Sequence, residues 1–189
     1  MVRQPPNLEV VLVKKALIPL LLLSLLALLV TGCSRPVAPK DTEVASAALN
    51  GTYKLGNDTF TLLNGKAEKE AAPGSATKVK ITVFGQPVLG DFNGDGWKEA
   101  ALLLTSQPGG SGTFFYVAVI GKNKSSQKFV ATNAILLGDR IAPQNVELHG
   151  SNIVVNYADR KPGEPMSTQP SVGVTKTFRI SGDTLVEVK

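Results

Sequence analysis

The hydrophobic pattern of the chain changes character near residue 33. Residues 16–30 are apolar throughout apart from Ser24, with Lys14 and Lys15 immediately before them. Beyond residue 50 the apolar residues come in short runs, divided by Gly51, Gly56, Gly65, Gly74, Gly85, Gly90 and further glycines at similar intervals. Short runs of β-branched, aromatic and leucine side chains bounded by turn residues are strands, and many of them in succession predict a mainly β domain. In 59–63, Phe60 and Leu62 alternate with Thr59, Thr61 and Leu63, as in a strand buried on one face. Further strands are predicted over 52–55, 78–84, 100–105, 113–120, 129–137, 146–148, 153–157, 175–180 and 185–188. His149-Gly150-Ser151-Asn152 and Ser181-Gly182-Asp183 supply residues that tolerate the positive φ of hairpin turns. The uninterrupted apolar runs 100–104 and 117–120 predict central strands covered on both faces. Polar residues 66–75 read as a strand end entering a loop, and 160–169, with Pro162, Gly163 and Pro165, as a surface loop. The expected fold is mainly β: an antiparallel meander forming a small sandwich or an open, barrel-like sheet.

The apolar run 16–30 is too short for the roughly 20 residues a membrane-spanning helix needs, and it has the length of a signal-peptide core. Extending it back to Val10 would place Lys14 and Lys15 inside the bilayer at a cost of a few kcal/mol each, as a rough magnitude. Val30-Thr31-Gly32-Cys33 follows at once, an aliphatic residue and two small ones before a cysteine. This resembles the bacterial lipobox. The resemblance implies a signal helix over 1–32 that is removed, and a diacylglycerol thioether on Cys33. Each buried methylene of such an anchor contributes about 0.8 kcal/mol of membrane affinity. Cys33 is the only cysteine, so no intramolecular disulfide is available to the domain. In a host with two membranes, Ser34 after the cysteine resembles the signal for the outer membrane, facing the periplasm. Residues 33–49, rich in Pro, Ala, Ser and charge, read as a lipidated tether with a short helix over 42–49 capped by Asp41 or Thr42. The globular domain is expected over 50–189.

Charge narrows the partners. From Cys33 onward there are 17 basic against 14 acidic residues, a net charge of +3. So mild a balance, with lysines spread along the chain, argues against nucleic acid as a partner. The expected partners are the membrane, through Cys33, and an envelope protein or ligand of unassigned identity.

One segment carries pointed chemistry: Gly90-Asp91-Phe92-Asn93-Gly94-Asp95-Gly96-Trp97-Lys98-Glu99. Asp91, Asn93 and Asp95 alternate, Gly96 permits a sharp turn, Trp97 offers a backbone carbonyl and Glu99 returns a carboxylate. Calcium takes six to eight oxygens at about 2.3–2.6 Å, and such a loop supplies most of them. The spacing matches the first nine positions of an EF-hand loop, but a strand follows where an EF-hand has its exiting helix. With Gly-Asp-Phe before it and Ala-Ala-Leu-Leu-Leu after it, the segment resembles the FG-GAP or VCBS repeat. That resemblance covers residues 84–104 and implies a calcium loop between strands, with Asp91, Asn93, Asp95, Trp97 and Glu99 as ligands. A turn that binds no metal is the alternative. Residues 51–189 also resemble a group of uncharacterised bacterial envelope proteins that share this loop, a Gly-Gly-Ser-Gly-Thr-Phe segment (here 109–114) and a Gly-Asp-Arg turn (here 138–140).

No catalytic constellation stands out. His149 is the only histidine, and Ser111 is followed two residues later by Thr113 where a nucleophile elbow needs glycine. The leading expectation is a non-enzymatic, calcium-stabilised binding or envelope-maintenance module. The alternative is an envelope hydrolase with its site on the loop 109–113 (Gly109, Gly110, Ser111, Gly112, Thr113) and the loop from Arg160 to Gln169.

Overall fold

The short apolar runs become two main antiparallel sheets packed face to face and a separate two-stranded hairpin. The computed structural model describes residues 36–188; the expected signal helix and the lipobox residues Val30, Thr31, Gly32 and Cys33 lie outside them. A ten-residue helix, α1 (Asp41–Asn50), comes first. It is followed by β1 (Thr52–Leu55), β2 (Asp58–Thr61), β3 (Lys66–Glu70), β4 (Lys78–Gly90), β5 (Glu99–Gln107) and β6 (Phe114–Lys122). Then come β7 (Phe129–Ala131), β8 (Ile135–Asp139), β9 (Ala142–His149), β10 (Asn152–Asp159), β11 (Val172–Ser181) and β12 (Thr184–Val188). The larger sheet runs β3-β4-β5-β6-β7, with β8 also on β6; the smaller runs β12-β11-β10-β9, and β1 forms a hairpin with β2, bridged once more by Lys54 to Asn133. Consecutive strands are thus neighbours almost throughout, as expected of a meander, and the sheets stay open rather than closing into a barrel.

The run 100–104 sits in the middle of the larger sheet and divides its side chains between two cores. Ala101 and Leu103, with Phe115, Val117 and Val119 of β6, face the smaller sheet and meet Ile153, Val155, Tyr157 and Phe178. Ala100, Leu102 and Leu104, with Ala118 and Ile120, face the other way, toward α1 and the β1–β2 hairpin. The continuous hydrophobicity therefore reflects burial on both faces, since alternation is lost when each face has its own core.

The helix shortens the expected tether. Val44 and Ala48 are fully buried against the larger sheet, and the Tyr53 hydroxyl donates to the Ala48 carbonyl at 2.8 Å. From residue 41 the chain belongs to the folded unit, and only 34–40 remain between Cys33 and the helix. Neither Asp41 nor Thr42 caps it: Lys40 holds the cap position, its carbonyl accepting the Glu43 and Val44 N–H groups, while Asp41 and Glu43 sit in the first turn, where the dipole favours acids.

Three further strands depart from the sequence reading. Residues 66–70, read as a strand end entering a loop, are a full strand, β3, at the edge of the larger sheet. Its Glu68 pairs with Lys78 of β4 at 3.3 Å. The predicted strand 129–137 is two strands, β7 and β8, each pairing with a different part of β6. Between them Thr132 Oγ1 accepts the Val119 N–H, and Asn133 reaches across to the smaller sheet. There its amide accepts the Leu185 N–H at 2.9 Å and donates to the Leu185 carbonyl at 3.2 Å, on the outer strand β12. β4 runs on to Gly90 through a bulge at Gly85, Gln86 and Pro87, where pairing jumps from Phe84–Leu103 to Val88–Ala101.

Candidate functional site

The bulge and the long run of β4 deliver Gly90 opposite Glu99, so the segment 91–98 is the connection between β4 and β5. Both ends are fixed by sheet pairing. Inside it, Asp91 acts as the hub: one carboxylate oxygen accepts the N–H groups of Gly94 (2.8 Å) and Asp95 (3.1 Å), the other that of Gly96 (2.9 Å). Asn93 Oδ1 accepts the Asp95 N–H, and Asp95 Oδ1 the Trp97 N–H, each at 2.8 Å. Gly94 and Gly96 hold φ of 76° and 84°, the left-handed region in which side chains with a Cβ are strained, which is why the alternating acids are interleaved with glycine.

Carboxylate oxygens of Asp91, Asp95 and Glu99 all lie within 4.8 Å of one another. Glu99 is the innermost, only 3% exposed. Its two oxygens accept the Phe92 N–H (2.8 Å) and the Asn93 side-chain amide (3.0 Å). Burial, with the charges of Asp95 and Asp91 added, pushes its carboxyl up to about 7 from an ordinary value of 4.5. Three clustered carboxylates, one of them desolvated, suit a hard divalent cation, which would supply the missing positive charge. The donor set is compatible with calcium and equally with other oxygen-seeking cations. Of the five predicted ligands, the structure brings together the carboxylates of Asp91, Asp95 and Glu99, and Asn93 donates to the Glu99 carboxylate and accepts the Asp95 N–H. Trp97 is buried, 8% exposed.

Two participants were not foreseen. A Cβ at Gly121 of β6 would stand 2.4 Å from Glu99 Cγ, so the absence of a side chain there is what admits the buried glutamate. The signal was present as an isolated glycine directly after the apolar run 117–120, a common mark of close approach in a strand. The other is Lys124, in the turn after β6, whose ammonium lies 3.7 Å from Asp95 Oδ1 and 5.2 Å from the Trp97 ring centroid. Nothing local in the sequence joins residues 95 and 124; the β5–β6 pairing does. Beside the loop lies a cavity of about 250 Å³ lined by Asn93, Asp95, Glu99, Gly121, Lys124 and Asp183 among others.

The loops 109–113 and 160–169 are organised differently. Asp139 Oδ1 accepts the Thr113 N–H at 2.9 Å, and Arg140 pairs with the same carboxylate at 2.9 Å, an interaction that holds the Asp139 carboxyl below its ordinary range. Arg160 spends its guanidinium on backbone, donating to the carbonyls of Thr168 (2.6 Å) and Arg140 (3.0 Å). The charged side chains here tie both loops to the turn at Gly138, Asp139 and Arg140. Neither loop lines the cavity beside the segment 91–98. No helix among these residues is long and apolar enough to cross a membrane.

Compared with known proteins, the chain matches no protein-family model, no curated protein and no solved structure.

Proposed function

We propose that this chain is a lipid-anchored envelope protein whose loop 91–99 binds calcium and is stabilised by it, and that it serves as a binding or envelope-maintenance module. The observation that carries the calcium reading is the convergence of three carboxylates within 4.8 Å on a loop clamped at both ends, with the Glu99 carboxylate nearly excluded from solvent. Asp91, Asp95 and Glu99 would hold the ion, Asn93 and the Trp97 carbonyl would add neutral oxygens, and water would complete the shell. The role is structural: the ion would offset the mutual repulsion of acids that the fold brings together, joining the end of β4 to the start of β5. Anchoring rests on the lipobox-like Val30-Thr31-Gly32-Cys33 and the short apolar run before it. Outside the cytoplasm even a site with a dissociation constant of about 10⁻⁴–10⁻³ M is filled by ambient calcium.

Thermal unfolding of the purified domain tests the site. Calcium at about one hundred times its dissociation constant should stabilise the fold by roughly 2.7 kcal/mol over chelator, a rise of several degrees in Tm. D95A should abolish that difference. An unchanged melting temperature in calcium, with no heat of binding by calorimetry, disproves the site. Incorporation of labelled fatty acid into the full chain, lost in C33S, tests the anchor independently.

A further inference from the structure

Lys124 is a charged group at the loop's rim to which the metal reading gives no task. It stands in the turn joining β6 to β7, which Asn123 braces by accepting the Ser125 and Ser126 N–H groups at 3.0 and 2.9 Å. From this braced turn the ammonium donates to the Asp95 carbonyl, sits 3.7 Å from Asp95 Oδ1 and lies over the Trp97 ring. The loop's own cation is committed elsewhere: Lys98 points away and binds Asp41 of α1 at 2.8 Å. Lys122, the other lysine lining the cavity, makes no salt bridge among the described residues. Lys124 is therefore the cation that partly balances the acidic cluster.

Accepting the calcium reading of the loop, we propose that Lys124 is a tethered counter-cation that a divalent ion must displace from Asp95, so that this residue sets the affinity of the site. The Lys124 and Asp95 side chains are 41% and 30% exposed, so their attraction is weakened by solvent but not lost, and an incoming ion of like charge is repelled on the same scale. The neighbouring cavity, lined by Lys124 and Ser125, gives the displaced side chain room without unfolding the turn. Displacement also removes a charge from the face of Trp97, the chain's only tryptophan, whose emission thereby reports the exchange.

The test is a calorimetric calcium titration of the metal-stripped domain as wild type, K124Q and K124R, with Trp97 emission followed in parallel. K124Q is expected to bind calcium about three- to tenfold more tightly, the upper figure corresponding to about 1.4 kcal/mol. K124R, which keeps the charge, is expected to stay near wild type. Wild-type emission should change on adding calcium, and the change should shrink in K124Q. Equal affinity in wild type and K124Q, or weaker binding in K124Q, overturns the role of Lys124 while leaving the calcium site standing. Absence of calcium binding by both wild type and K124Q removes the site itself and the proposal with it.

Discussion

Glu99 shows how much one side chain can demand of its surroundings. It is buried at the first position of β5, takes hydrogen bonds from Phe92 and Asn93, and occupies space that any residue but glycine at position 121 would fill. Its carboxyl is raised to about 7 in the folded chain, whereas in the unfolded chain it titrates near 4.5, so without metal the fold favours the protonated form. That contribution to stability is full below about pH 4.5 and is lost as the pH rises through 7. In chelator, wild type is therefore expected to lose stability between pH 5 and pH 8 relative to E99Q, whose neutral amide does not titrate. Denaturant unfolding across that range measures the difference; parallel curves for the two proteins would refute it. If calcium binds as proposed, the sign is expected to reverse, because the ion favours the ionised carboxylate. The alternating acids and glycines of this loop were legible because spacing along the chain fixes which oxygens can converge. Gly121 and Lys124 were not, since their part depends on which strand lies beside β5.

At the level of elements, the helix α1 carries more than its composition suggests. It is short and its cap residue, Lys40, makes no side-chain bond, so propensity alone would leave it marginal in water. What holds it is tertiary: Val44 and Ala48 buried without exposure, the Tyr53 hydroxyl on the Ala48 carbonyl, and the Lys98–Asp41 pair that joins it to the loop 91–98. A domain beginning at residue 51 is accordingly expected to be less stable than one beginning at 36 by at least about 2 kcal/mol, the order of one buried Val with its hydrogen-bonded neighbour. Equal midpoints in urea would contradict this. The strands divide along similar lines. Those with runs of apolar residues, β5 and β6, were legible with small errors at their ends. β3 was legible only as a strand end, because an edge strand needs no apolar face and its Lys and Glu residues look like a loop until β4 is laid beside them. The split between β7 and β8 was hidden because Asn133 interrupts an otherwise strand-like run for a reason that lies in the other sheet.

For the molecule as a whole, a double layer of open sheets with a helix on its outer side was foreseeable as a sandwich of meanders. The order of strands in each sheet follows their order in the chain with few exceptions. Open sheets end in strands whose outward N–H and C=O groups invite another chain. On the larger sheet β3 meets this with charge. On the smaller sheet β12 is covered at Leu185 by Asn133, whose side-chain amide presents one donor and one acceptor with the spacing of a peptide group. N133A should therefore raise the dimer fraction in sedimentation velocity while leaving the calcium response of the loop intact; a strictly monomeric N133A would show that the cover is dispensable. The consequence reaches furthest if the chain is anchored at Cys33. Molecules confined to a plane meet one another far more often than the same number in free solution. A single amide lodged on the last strand would then act as a stopper, keeping a crowded surface layer from stitching its sheets into a continuous ribbon.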